Sequence, residues 1–91
     1  MNLSIQQLKA FKAIAKYQSI TKAAEAMNMT QPAVSIQLKN LQEHFEVPLT
    51  EIIGKKIHIT EFGQELADTA DRIFEELGKI EEKMLELKGL L

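Results

Sequence analysis

The sequence predicts a mainly α-helical chain: three short helices, a two-stranded hairpin, then one long helix. Three observations carry that expectation. Apolar residues recur at helical spacing in three stretches before residue 46. Between Val47 and Ile59 the pattern changes to alternation about a glycine-containing turn. From Leu66 an unbroken four-three repeat runs to the end of the chain.

Ser4 can cap the first helix, which runs to about Tyr17 with Ile5, Leu8, Phe11 and Ile14–Ala15 as its buried stripe. Gln18–Ser19 interrupts it. A second helix follows from about Thr21 to Met27, with Ala23, Ala24 and Met27 inward, and its small residues let a neighbouring helix approach closely. Asn28–Met29 forms the turn. No glycine stands there, so Asn28 has to supply any left-handed conformation.

The third helix, Thr30–Phe45, has a doubly marked start. The Thr30 hydroxyl can accept a first-turn N–H, and Pro32 lies where no N–H is needed and φ is already set. Val34, Leu38, Leu41 and Phe45 make a narrow apolar stripe. The opposite face carries Pro32, Ile36, Lys39, Asn40 and Glu43, flanked by Gln31, Ser35 and Gln37. Most of these are uncharged hydrogen-bonders, and none in the first turn repels a phosphate, so the surface suits base edges in a groove. An ordinary amphipathic surface helix would carry the same pattern. Two helices joined by a short turn, the second with a polar outer face, form a helix-turn-helix.

Pro48 ends the helical run. Ile52–Ile53 and Ile57-His58-Ile59 then read as two strands about Gly54-Lys55-Lys56, a wing at residues 52–59 with Lys55 and Lys56 at a tip suited to phosphates. Thr60 caps the last helix, with Glu61 favourable at its positive end. Leu66, Ala70, Ile73, Leu77, Ile80, Met84, Leu87 and Leu91 form a heptad seam along it, weakened only by Gly63, Gly78 and Gly89. A second copy of the same helix is the expected cover for that seam, giving a homodimer. The predicted fold is thus a winged helix-turn-helix of three helices plus a two-stranded wing, residues 1–60, followed by a long dimerising linker helix, residues 61–91.

Composition narrows the function classes. The 91 residues carry a formal net charge of −2, but the average hides a division. Residues 1–60 hold seven lysines against four acids, a net of +3, while residues 61–91 hold four basic residues against nine acids, a net of −5. A basic front and an acidic back suggest that only the front meets a polyanion. With no cysteine, disulfides and thiolate metal sites are excluded. His44 and His58 are far apart with no carboxylate at ligand spacing, no nucleophile–base set is visible, and no cofactor or enzymatic activity is expected. No membrane-length apolar run or signal peptide is present, so a cytoplasmic protein is expected.

The stretches SITKAAEAMNMTQPAVSIQLKNLQ and VPLTEIIGKKIHITEFGQEL resemble the N-terminal DNA-binding region of LysR-type transcriptional regulators, and the resemblance runs over essentially all 91 residues. The TQPAVSIQLKNL and GKKIHIT wording is most similar to regulators of carbon-fixation operons. The resemblance implies sequence-specific binding of double-stranded DNA by a homodimer, with the third helix in the major groove and the wing on the backbone. It also implies that a ligand-sensing domain follows, so this chain is expected to be a fragment, and that RNA polymerase is a partner of the full-length parent. Gln31 matches the family's base-contacting glutamine. Thr30, Pro32, Ser35, Ile36, Gln37 and Lys39 share its helix face or flanks, and Lys55 and Lys56 complete the expected DNA contacts. Three positions depart from the family pattern: Thr50 stands where Phe is usual, and Ile52 and Ile36 where Arg is common. Thr50 is expected to leave less buried area under the wing, and the missing arginines to alter affinity or preference for DNA. Ile36 is either simple surface exposure or a contact to a thymine methyl. A rival from another class is a helical protein–protein module on a coiled coil, favoured by the acidic sum and the missing arginines.

Overall fold

The computed structural model describes residues 2–90. Its elements run α1 (Ile5–Tyr17), α2 (Ile20–Met27), α3 (Gln31–Phe45), β1 (Thr50–Ile53), β2 (Lys56–Ile59) and α4 (Glu61–Leu87). This is the predicted winged helix-turn-helix with its long terminal helix. Leu91, the last seam position, lies outside the described residues.

Helix starts are fixed by short polar side chains. Ser4 Oγ accepts the Gln7 N–H at 3.1 Å while Gln7 Oε1 accepts the Ser4 N–H at 3.0 Å, a closed capping box. Ser19 Oγ accepts the Lys22 N–H at 3.1 Å, so α2 begins at Ile20, one residue before the expected Thr21. Thr30 and Thr60 cap α3 and α4 through the N–H groups of Ala33 and Gly63. The ends of α1, α2 and α3 share a different device. Gln18, Asn28 and Glu46 all take left-handed backbone, with φ of 48°, 54° and 58°. Asn28 does what the missing glycine would have done, and its N–H returns to the end of α2 at Glu25 O, 3.2 Å.

The core lies where α1 crosses α3 and α4. Leu8, Phe11 and Ile14 meet Ala23 and Ala24 of α2, Val34, Leu38 and Leu41 of α3, and Leu66, Ala67 and Ala70 of α4. Phe11, Ile14, Val34, Leu41 and Leu49 are fully buried, each stabilising the fold by about 1.5–3 kcal/mol. Ile5, expected in the α1 stripe, is exposed, and Ala10 takes an inward position instead. Lys12 of α1 adds an ion pair to Asp71 of α4 at 3.1 Å and lies 5.5 Å from the Phe74 ring centroid. Both charges are half in solvent, so the pair orients more than it stabilises.

The wing is longer than its expected core. Strands β1 and β2 pair antiparallel, with Ile52 opposite Ile57 and Ile53 opposite Lys56. The two linking residues, Gly54 and Lys55, both have positive φ, 56° and 66°. A two-residue turn of that kind matches the strand twist. Lys56 therefore belongs to β2, and only Lys55 sits at the tip. Beneath the wing, the Thr50 substitution has a local answer. Gln42 Oε1 of α3 accepts the Leu49 N–H, the Thr50 N–H and the Thr50 hydroxyl at 3.1, 3.3 and 3.2 Å. Buried Leu49 supplies apolar volume beside it.

Gly63 needs its missing side chain. A Cβ there would run into the Leu49 carbonyl oxygen and come within 2.8 Å of Ile59 Cγ2. The first turn of α4 thus lies directly against the chain entering the wing. Thr60 locks that approach, donating its N–H to Leu49 O at 3.1 Å and its hydroxyl to Pro48 O at 2.8 Å.

Candidate nucleic-acid interface

Three elements turn toward one groove of about 570 Å³. The N-terminal turn of α2 contributes Ser19, Thr21 and Lys22; α3 contributes Gln31; the wing contributes Ile52, Lys55, Lys56 and Ile57. The geometry follows from the packing. Ala23 and Ala24 let α2 lie close to the core, Asn28 turns the chain back, and Gln42 fixes the wing beside the flank of α3 that carries Gln31. Ser19, Thr21 and Lys22 were not singled out from the sequence. Ser19 immediately before a short helix was the available signal.

Outside the groove, α3 presents Pro32, Ser35, Ile36 and Lys39, all exposed. Gln31 and Ser35, four residues apart, share a flank. Gln37 lies about 200° round the helix from Ser35 at 3.6 residues per turn, and it is half-buried on the other side. The structure therefore does not bring Gln37 to the groove. Thr30 spends its hydroxyl oxygen on the Ala33 N–H, 3.2 Å away, which leaves its own O–H free to donate outward.

Charge on this side comes from Lys22, Lys39, Lys55 and Lys56, all exposed. Glu25 on α2, Glu43 on α3 and Glu51 on β1 are the nearest acids in sequence and are exposed as well. Exposed lysines beside uncharged amides and hydroxyls can neutralise phosphates while leaving the amides to discriminate base edges. Among the described residues, no cluster of three or more histidine, cysteine or acidic side chains could hold a metal.

The other candidate surface is on α4, and there the seam divides. Leu66 and Ala70 are buried in the head's own core, which leaves little of their surface for a partner. Ile73 is half-buried, and beyond it Leu77, Ile80, Met84 and Leu87 are 39%, 62%, 44% and 80% exposed. One straight stripe thus serves the intramolecular core first and leaves its second half uncovered. No helix of the described residues is long and apolar enough to cross a membrane.

Known proteins resemble the chain throughout. The model for the bacterial regulatory helix-turn-helix protein, lysR family, matches residues 5–64. The HTH-type transcriptional activator CmpR of Synechocystis sp. is 44% identical over 89 residues, 98% of this chain and 29% of CmpR. A RuBisCO operon transcriptional regulator of Allochromatium vinosum is 38% identical over 90 residues, 99% of this chain and 30% of the relative. The chain therefore spans about three tenths of the length of these curated relatives. Among solved structures, the CbnR_DBD–DNA complex superposes with a TM-score of 0.86 at 27% identity, covering 94% of this chain and 99% of that one.

Proposed function

This chain belongs to the LysR family of bacterial regulatory helix-turn-helix proteins, and from that premise we propose that it binds a specific sequence of double-stranded DNA as a homodimer. The observation that carries the reading is the shared groove, where Gln31 of α3 lies beside Lys55 and Lys56 of the wing and the first turn of α2. In this reading residues 1–60 form the DNA-binding unit and residues 61–91 the dimerising unit. Helix α3 enters the major groove, with Gln31, Pro32, Ser35 and Ile36 toward base edges and Thr30 and Lys39 toward backbone. The wing and the N-terminal turn of α2 hold adjacent phosphates, the latter through the positive end of the helix and the Lys22 side chain.

The uncovered half of the α4 seam supports pairing with a second copy through Ile73, Leu77, Ile80, Met84 and Leu87. Pairing sets the distance between two recognition helices, and hence the spacing of half-sites. Regulation of a RuBisCO operon is the biological setting that the Allochromatium vinosum relative suggests, and a cytoplasmic location is the one expected of such a DNA-binding unit. RNA polymerase is the further partner expected of a full-length regulator carrying this unit. Affinity for a duplex measured across salt concentrations tests the reading. A steep linear fall of log affinity with log salt is expected, since each neutralised phosphate releases counterions. Affinity absent, or flat with salt, would favour a protein partner for the same face.

A further inference from the structure

Ile36 is the one large apolar side chain that α3 turns away from the core, and it is 56% exposed. It sits mid-helix, one turn after exposed Pro32 and one turn before exposed Lys39 and Asn40, on the face of α3 left open to solvent. Resting on the DNA-binding reading above, we propose that Ile36 is a specificity-determining residue that reads the methyl group of a thymine.

The chemistry of the groove narrows what an isoleucine can recognise. It neither donates nor accepts a hydrogen bond. Among the base edges of the major groove, the only apolar group is the thymine C5-methyl. Set against a G·C pair, the same side chain would strip water from the guanine acceptors and the cytosine amine and return no partner. Ile36 therefore selects in two ways, by contact with a methyl and by refusal of G·C. Its β-branched side chain is held in essentially one χ1 rotamer on a helix, so little freedom remains to be lost when the contact forms. The surrounding polar residues, Gln31, Ser35 and Lys39, can satisfy the hydrogen-bonding edges and phosphates beside it.

The test separates this inference from the DNA-binding reading it rests on. A preferred duplex is first selected from a random pool with the 91-residue chain, and each thymine in it is then replaced singly by uracil, which removes only the methyl. At one position per half-site the replacement should lower affinity about fourfold, the equivalent of about 0.8 kcal/mol for one buried carbon group. Ile36→Ala should bind the thymine and uracil duplexes equally. That variant keeps the fold, because the side chain lies outside the core and alanine is the better helix former. Wild type that prefers its site yet ignores every thymine-to-uracil change overturns the inference and leaves DNA binding standing. Sensitivity that persists in Ile36→Ala assigns the methyl to another residue and overturns it too. Preference for no duplex at all removes both.

Discussion

Replacing Gly63 by alanine isolates how the wing is joined to α4. On an exposed helix, glycine to alanine stabilises by about 0.8–1 kcal/mol. At Gly63 the new methyl would run into the Leu49 carbonyl oxygen and approach Ile59 Cγ2 to 2.8 Å. The carbonyl is backbone, so no rotamer change relieves it. Overpacking of this kind costs about 1–3 kcal/mol. If the chain retreats, it also loses the 3.1 Å bond from Thr60 N–H to Leu49 O and the 2.8 Å bond from the Thr60 hydroxyl to Pro48 O, each about 1 kcal/mol. Subtracting the helix gain leaves Gly63→Ala destabilised by about 2–4 kcal/mol. Gly78 is the internal control, since a Cβ there meets nothing within 4 Å, and Gly78→Ala should gain about 0.8–1 kcal/mol. Urea unfolding followed by circular dichroism reads both, at one protein concentration because the proposed dimerisation would be linked to stability. A Gly63→Ala midpoint at or above wild type would refute the close approach of α4 to the wing.

Other outcomes follow from the same geometry. Leu77→Glu with Ile80→Glu should give monomers in sedimentation at tens of micromolar while the head stays folded, since neither residue is buried in it. The paired change should also weaken DNA binding through lost bivalency. Lys55→Ala with Lys56→Ala should weaken specific and random duplexes by similar factors and lower the slope of log affinity against log salt by roughly one to two units. Loss confined to the specific duplex would make the wing a reader of bases. Gln42→Ala leaves the Leu49 and Thr50 N–H groups without their shared acceptor, a cost of about 1–3 kcal/mol. Amide hydrogen exchange should then quicken at Leu49 and Thr50 before it changes in α1, and uniform protection in both regions would show that the wing does not depend on Gln42.

What was legible in the sequence was local. Ser4, Thr30 and Thr60 mark their helix starts because a cap acts on N–H groups only three residues away. Asn28 was legible as a left-handed turn because asparagine tolerates that conformation. Gln18 and Glu46 adopt it with no side-chain preference to announce it, driven by where the next helix and the wing must pack. Two hydroxyls competed at the start of α2, and the earlier one, Ser19, holds the cap. Gly63 read as a weak point in a helix, whereas its value lies in a contact with Leu49, fourteen positions earlier. Separation along the chain also hid Gln42, whose amide oxygen serves backbone seven and eight residues on. Periodicity located the α4 stripe from Leu66 to Leu87 but passed over buried Ala67, and a period cannot say what covers it. Leu66 and Ala70 go to the head's core, and only the later positions remain open. Within the groove, Gln31, Lys55 and Lys56 were found from residue chemistry, while Ser19, Thr21 and Lys22 depended on knowing how α2 lies against the wing.

The central claim is that α3 reads sequence, and selection of binding sites from a random duplex pool with wild type and Gln31→Ala tests it most directly. The Gln31 amide offers a donor and an acceptor at the start of the helix, the end that reaches base edges when a recognition helix docks. Wild type should return a consensus of two inverted half-sites. Gln31→Ala should bind that consensus about 1–3 kcal/mol more weakly, bind random DNA nearly as well, and return a relaxed site at one position per half-site. The same consensus recovered by both proteins with equal enrichment would contradict the claim, and the reader would have to be sought outside α3.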